Sequence, residues 1–210
     1  MRRFYLVFMA SLVALSACNG ARKPSDKTFT KAINEYLAKH GEACTVIGRP
    51  FPIDIPRLEQ NQQYEIGPKL MALEQAGLVQ GVETTAVIHG MLDPLRGSTP
   101  PQPVKRYELT ANGKKYFQQI PGSLGKTGGF CYGQKSVDSI VKWTEPATMG
   151  TSSQTEVTYT YRIVDPADWA ERHEVQQAFS DIRTTINGAS KTNEVAGLQL
   201  TSAGWEISGH

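Results

Sequence analysis

The chain has 210 residues, with 22 Lys and Arg against 20 Asp and Glu, a formal charge of +2. That length suits one large domain or two small ones. A near-neutral balance excludes general nucleic-acid binding, which needs a cluster of phosphate-neutralising cations.

Arg2 and Arg3 precede an apolar stretch from Phe4 to Leu15. The stretch is too short for a bilayer, which needs about 20 apolar residues, and has the length of a signal-peptide core. It ends in Leu15-Ser16-Ala17-Cys18. This run resembles the lipobox of bacterial lipoproteins. The resemblance implies cleavage before Cys18, acylation of Cys18 and a membrane-anchored chain of the cell envelope. Two or more acyl chains are what stable anchoring requires. Asn19 follows, where Asp retains enteric lipoproteins in the inner membrane, so the resemblance implies the outer membrane, facing the periplasm. An ordinary signal peptide with Cys18 as a free thiol is the other reading. Without residues 1–17 the chain carries 20 basic and 20 acidic groups. Residues 19–127 stand at +4 and residues 128–210 at −4, which reads as attraction between halves or as solvated faces.

Cys44 and Cys131 are then the two remaining cysteines. An exported chain permits disulfides, and a remaining pair predicts one bridge; two buried thiols are the alternative. Residues 18–27 read as a polar tether. "TFTKAINEYLAKHG" predicts a helix with Phe29, Ile33, Tyr36 and Leu37 near one face and Gly41 as its stop. "ACTVIGRPFPIDI" reads as a strand with a Pro-broken extension. Pro68 opens a second helix with Leu70, Leu73 and Ala76 inward, and Gly77 ends it. "LVQGVETTAVIHG" predicts a strand, and residues 91–103 a Pro/Gly-rich loop. "VKRYELT" returns as a strand, with Thr110 capping a short helix over "ANGKKYFQQI".

"KLMALEQAGLV" followed by "RYELTANGKKYF" resembles the third helix, wing and closing helix of MarR- or PadR-type winged-helix regulators, over about residues 28–119. The resemblance implies a winged-helix-like unit at 28–120. It departs where DNA would be read, since the helix before the wing offers Lys69, Met71, Glu74 and Gln75, one cation against one acid. With an export signal in front, nucleic acid is not an expected partner.

Residues 121–129 read as a linker. Gly125-Lys126-Thr127 lies in it, but a phosphate loop needs Gly where Ile120 stands. Residues 130–210 predict a second unit. Two strands, "SVDSIVKWTEP" and "TEVTYTYRIVD", form a hairpin in which Val157, Tyr159, Tyr161 and Ile163 alternate with polar residues. One long helix follows over "DPADWAERHEVQQAFSDIRTTI", capped by Asp165 and ended by Asn187-Gly188. A further strand, "GLQLTSAGWEI", closes the chain. The expected fold class is therefore α+β, two small packed units. Leu109-Thr110 with Gly113 and Leu200-Thr201 with Gly204 recur at similar distances after the two cysteines, a duplication or a chance repeat of a capping turn.

None of His40, His89, His173 and His210 stands in a zinc spacing, and "RHEVQQ" lacks the second His of a metalloprotease helix. No Gly-x-Ser-x-Gly elbow occurs. No metal site, cofactor or catalytic residue is expected. The expected function is a non-catalytic protein-binding or scaffold lipoprotein, an immunity or inhibitor protein being its sharper form. Its partner, an envelope protein, would be met through Arg96, Lys105 and Arg106 around the Pro-rich loop. Two other classes stay open: an envelope hydrolase using Cys131 with a His, and a peptidoglycan- or glycan-binding module using Trp143, Trp169 and Trp205.

Overall fold

A computed structural model describes residues 20–57, 59–60, 66–88, 100–122, 125–150 and 152–209. Cys18, His89, Arg96 and His210, and most of the Pro-rich loop, lie outside the described residues.

Helix α1, Asp26–His40, starts where Ser25 Oγ accepts the Thr28 N–H at 3.3 Å. Asp26 in its first turn and Lys39 with His40 in its last complement the helix dipole. Strands β1 (Glu42–Val46) and β2 (Ile53–Pro56) follow, then helix α2 (Ile66–Gln75). Helix α2 ends in a Schellman turn. Leu78 N–H reaches Leu73 O at 2.9 Å, Gly77 N–H reaches Glu74 O at 2.9 Å, and Gly77 sits at φ +75°. Strands β3 (Val79–Ala86) and β4 (Gln102–Leu109) pair antiparallel, and β4 also pairs β2, giving a three-stranded sheet ordered β2-β4-β3.

A single helical turn, α3 (Gly113–Tyr116), leads into β5 (Phe117–Gly122) and the 19-residue β6 (Gly125–Trp143). Then come β7 (Ala147–Met149), β8 (Ser152–Val164), and three short helices: α4 (Asp168–Glu171), α5 (His173–Ala178) and α6 (Ser180–Gly188). Strands β9 (Asn193–Leu200) and β10 (Trp205–Ile207) end the described chain. Seven strands form one sheet in the order β1-β6-β8-β9-β10, with β5 on β6 and β7 on β8.

Two compact units result. Of the described residues, one unit gathers those up to Tyr36 with those of 137–160 and from Asn193 onward; the other holds those of 37–136 and 161–192. In the first, Phe29 is fully buried, with Trp143 and Trp205 edge-on to it at 5.3 and 5.2 Å. Ile33, Val157 and Leu198 complete that core, and Asn34 Oδ1 accepts the Val137 N–H at 2.8 Å. In the second, Leu70 and Leu73 of α2 pack with Ile55, Tyr107, Phe130 and Phe179. Fully burying such a side chain contributes about 1.5–3 kcal/mol.

This β-rich architecture corrects the expected fold class. Residues 28–120 do not form a winged-helix-like unit, because most of α1 belongs with chain that is 100 residues and more further on, and β1 joins the large sheet. The closing helix is one turn, not ten residues, since Phe117–Gly122 pairs with β6. Residues 121–129 are no linker: Gly122 pairs Gly125 and Gln119 pairs Gly128 in a hairpin. The tether is shorter than residues 18–27, because Arg22 Nη1 donates to Thr201 O at 2.7 Å and Trp205 Nε1 donates to Arg22 O at 3.2 Å.

The long second-half helix is three pieces. Arg172 and Phe179 take extended conformations, with ψ of 138° and 94°, and the breaks let Trp169, Val175, Phe179 and Ile182 all face the core. Asp165 is no cap; it lies before the helix at φ +47°. The repeated Leu-Thr-x-x-Gly runs also differ. Thr110 Oγ1 accepts the Gly113 N–H at 2.9 Å at a helix start. Thr201 and Gly204 instead turn the chain between β9 and β10.

Candidate functional site

Cys44 and Cys131 face one another across β1 and β6 and form a disulfide with an S–S distance of 2.03 Å, closing 87 residues of sequence. A cleft of about 270 Å³ opens beside it. Glu42 enters the cleft from the start of β1, and Tyr132 and Gln134 from β6. Tyr116, at the end of α3, and Asp165, in the turn after β8, supply the remaining walls with Cys131.

Local sequence explains each placement. Asp165 precedes Pro166, and Asp is among the few non-Gly residues that tolerate a left-handed backbone. Ala167 N–H donates to Tyr132 O at 2.8 Å and ties this turn to β6. Gly133 lets the turn approach, since a Cβ there would stand 2.4 Å from Ile163 Cγ2. Tyr116 and Tyr132 are held from behind by Trp169, ring centroids 5.9 and 6.0 Å away in edge geometry. Tyr132 is 3% exposed, and burial pushes its phenol above the usual value.

The polar side chains exposed at the cleft are acceptors. Glu42, whose Oε1 accepts a bond from Gln118 Nε2 at 2.5 Å, and Asp165 are exposed carboxylates, and among the described residues no Lys, Arg or His lines the cleft. A carboxylate oxygen of Glu42 and the sulfurs of Cys44 and Cys131 lie within 4.8 Å of one another. Both sulfurs are spent in the bridge, so this trio offers a metal no thiolate, and Cys131 offers no nucleophile. His173 bonds Gln177 on α5 and does not reach the cleft; His40 ends α1.

Of the three cations expected to meet a partner, Lys105 and Arg106 lie among the described residues, and both form ion pairs within the chain. Lys105 Nζ lies 2.6 Å from Glu74 Oε2, whose other oxygen accepts the Gly81 N–H at 2.9 Å. Arg106 grips Asp54 with two bonds of 2.7 Å, from Nε and Nη2. Neighbours on a strand point to opposite faces, so the pair works one ion pair on each side of β4. Trp169 and Trp205 are 5% and 4% exposed and serve cores, and Trp143 donates to Asp26 Oδ1 at 3.1 Å. The three indoles therefore make no exposed row.

The Arg106 guanidinium, bonded to Asp54, holds that carboxyl below the usual carboxylate range. A carboxyl depressed by folding stabilises the fold above its unfolded value, near 3.9, and the contribution disappears as pH falls through the folded value. Asp54→Asn should thus lower the urea midpoint at pH 7 and weaken its fall as pH drops below the ordinary carboxylate value of about 3.9. A midpoint falling as steeply in the variant as in the wild type would contradict this.

Sequence reasoning found the two cysteines but not Glu42, Tyr116, Tyr132 or Asp165 as one site. They come from four separated segments, and the only local signal was Asp-Pro directly after a strand. Among the described residues no helix is long and apolar enough to cross a membrane. Compared with known protein families, curated proteins and solved structures, the chain has no match.

Proposed function

We propose that the protein is a lipid-anchored, non-catalytic binding module of the bacterial cell envelope. The observation that carries this is the Cys44–Cys131 bridge, which suits an oxidising compartment and leaves neither folded cysteine as a thiol. The lipobox-like run Leu15-Cys18 supplies the anchor, with Cys18 acylated and the outer membrane, on its periplasmic face, as the address. With Arg22 already bonded to the folded body, the chain leaves little slack between anchor and module. The module's partner is another protein of the envelope. Lys105 and Arg106 also fasten the three-stranded sheet through Glu74 and Asp54.

Fractionation of a bacterial host expressing the full chain tests the anchor. The wild type should sediment with membranes and incorporate labelled palmitate, and Cys18→Ala should lose both. Recovery of unlabelled wild type in the soluble fraction would overturn the reading.

A further inference from the structure

We propose that residues 21–28, which lead into α1, dock on the membrane that holds the anchor, with Arg22, Lys23 and Lys27 set against anionic phospholipid headgroups; this rests on the lipid-anchored reading. The anchor leaves this segment little reach away from the bilayer, because the chain is fastened to its own unit from Ala21 onward. Gly204 leaves room for Ala21, since a Cβ at Gly204 would stand 3.2 Å from the Ala21 carbonyl oxygen. Arg22 Nη1 donates to Thr201 O at 2.7 Å, and its carbonyl accepts the Trp205 Nε1–H at 3.2 Å. Thr28 Oγ1 donates to Lys23 O at 2.8 Å and carries the fastening into α1. Asn19 and Gly20 alone lie between Cys18 and Ala21. Three residue steps span at most about 11 Å even when fully extended. That is close to one Debye length, about 8–10 Å at ordinary salt, so the charge on this segment meets the bilayer with little screening.

The sign of that charge is positive. Without residues 1–17 the chain is formally neutral, yet residues 21–28 carry Arg22, Lys23 and Lys27 against Asp26. All three cations are exposed. Lys23 and Lys27 enter no ion pair among the described residues, whereas Lys31, one turn further along α1, is taken by Glu35 at 2.6 Å. Asp26 accepts the Trp143 Nε1–H at 3.1 Å. Arg22 spends one N–H on Thr201 and keeps the rest of its fork for a phosphate. The turn between β9 and β10, on which the segment lies, adds Ser202 and Ala203, exposed and uncharged. Glu206 points to the opposite face of β10 from Trp205.

Position selects the occupant. An acidic protein would also suit three cations, but it would have to enter a gap that the anchor keeps to about 11 Å or less. The lipid surface is already there. Each cation close to an anionic leaflet adds to the hold of the acyl chains, and together they fix which end of this helix-and-sheet unit faces the membrane.

The test uses the full acylated chain in vesicles of phosphatidylcholine alone and of phosphatidylcholine mixed with phosphatidylglycerol. Amine labelling is read lysine by lysine by mass spectrometry. On the mixed vesicles Lys23 and Lys27 should label about threefold more slowly than on phosphatidylcholine, and added salt should remove the difference. Lys27→Glu, at an exposed position, makes residues 21–28 formally neutral. It should return Lys23 to its rate on phosphatidylcholine, with an unchanged urea midpoint. Equal labelling on both vesicles, or Lys23 still slowed in the variant, would overturn the inference and leave the anchor standing. A chain that sediments with neither vesicle overturns the anchored reading and this inference together.

Discussion

Replacing both Cys44 and Cys131 with Ala should lower stability by about 3–5 kcal/mol, the figure for opening a loop of this length. For a chain of this size that is a fall in Tm of roughly 6–20 °C. Cys44 lies directly opposite Cys131 on β1 and β6, and the ladder shifts register between Ala43 and Cys44. β1 stands at the end of the sheet order, with β6 as its neighbour in that order. The bridge therefore pins a five-residue strand across a register irregularity, and joins segments 87 residues apart. Without it the unfolded chain regains that freedom, while β1 keeps its backbone bonds. Urea titration and hydrogen exchange read the two consequences. The midpoint should fall, and the amides of β1 should lose protection first. An unchanged midpoint in the double variant would show that the bridge contributes nothing to the fold.

Gly113→Ala should cost about 3 kcal/mol or more, although it adds one methyl group. A Cβ at Gly113 would lie 1.8 Å from the Leu78 carbonyl oxygen and 2.8 Å from its carbon. That carbonyl has little room to retreat. It accepts the Thr110 N–H at 3.1 Å, and Thr110 Oγ1 also reaches Gly77 O at 2.8 Å. Leu78 is itself fully buried, directly after the Schellman turn of α2. Relief of the clash thus means moving α3 away from the α2–β3 junction or breaking those bonds. Gly20→Ala is the control, since a Cβ there meets nothing within 4 Å. Urea midpoints should separate Gly113→Ala sharply from both the control and the wild type. Equal midpoints would mean that α3 does not seat where the geometry puts it.

Local patterning made some of this fold legible. The spacing of Phe29, Ile33 and Leu37 gave α1 and its buried face, and Gly77 gave the end of α2. Alternation over Val157, Tyr159 and Tyr161 gave the inward face of β8. What failed was decided by partners distant in sequence. "GKTGG" reads as a linker because glycine is a poor strand residue. In β6 the last two of those glycines are places of close approach: a Cβ at Gly128 would lie 2.6 Å from Phe117 Cζ, and one at Gly129 2.7 Å from Thr45 O. Neither Arg172 nor Phe179 is a helix breaker by propensity. The helix breaks there so that Phe179 and Ile182 can both be fully buried, a case of packing overriding local preference. The winged-helix reading failed for the same reason, since pairing of β1 and β5 with β6 took their segments into another sheet.

The candidate site was legible only through its cysteines, which a count and an expected compartment pair without any geometry. Lys105 and Arg106 looked available because sequence does not show that Glu74 and Asp54 lie across from them. Asp165 reads as a helix cap, yet the helix begins at Asp168 and the carboxylate is left on the cleft.

The central claim, an anchored and oxidised envelope module, is tested most directly by intact-mass measurement of the full chain purified from bacterial membranes. Alkylation before and after reduction completes the measurement. The expected result is a chain beginning at an acylated Cys18, with no alkylation before reduction and two alkylated residues, Cys44 and Cys131, after it. An unacylated chain still carrying residues 1–17, with Cys44 and Cys131 alkylated without reduction, would contradict it.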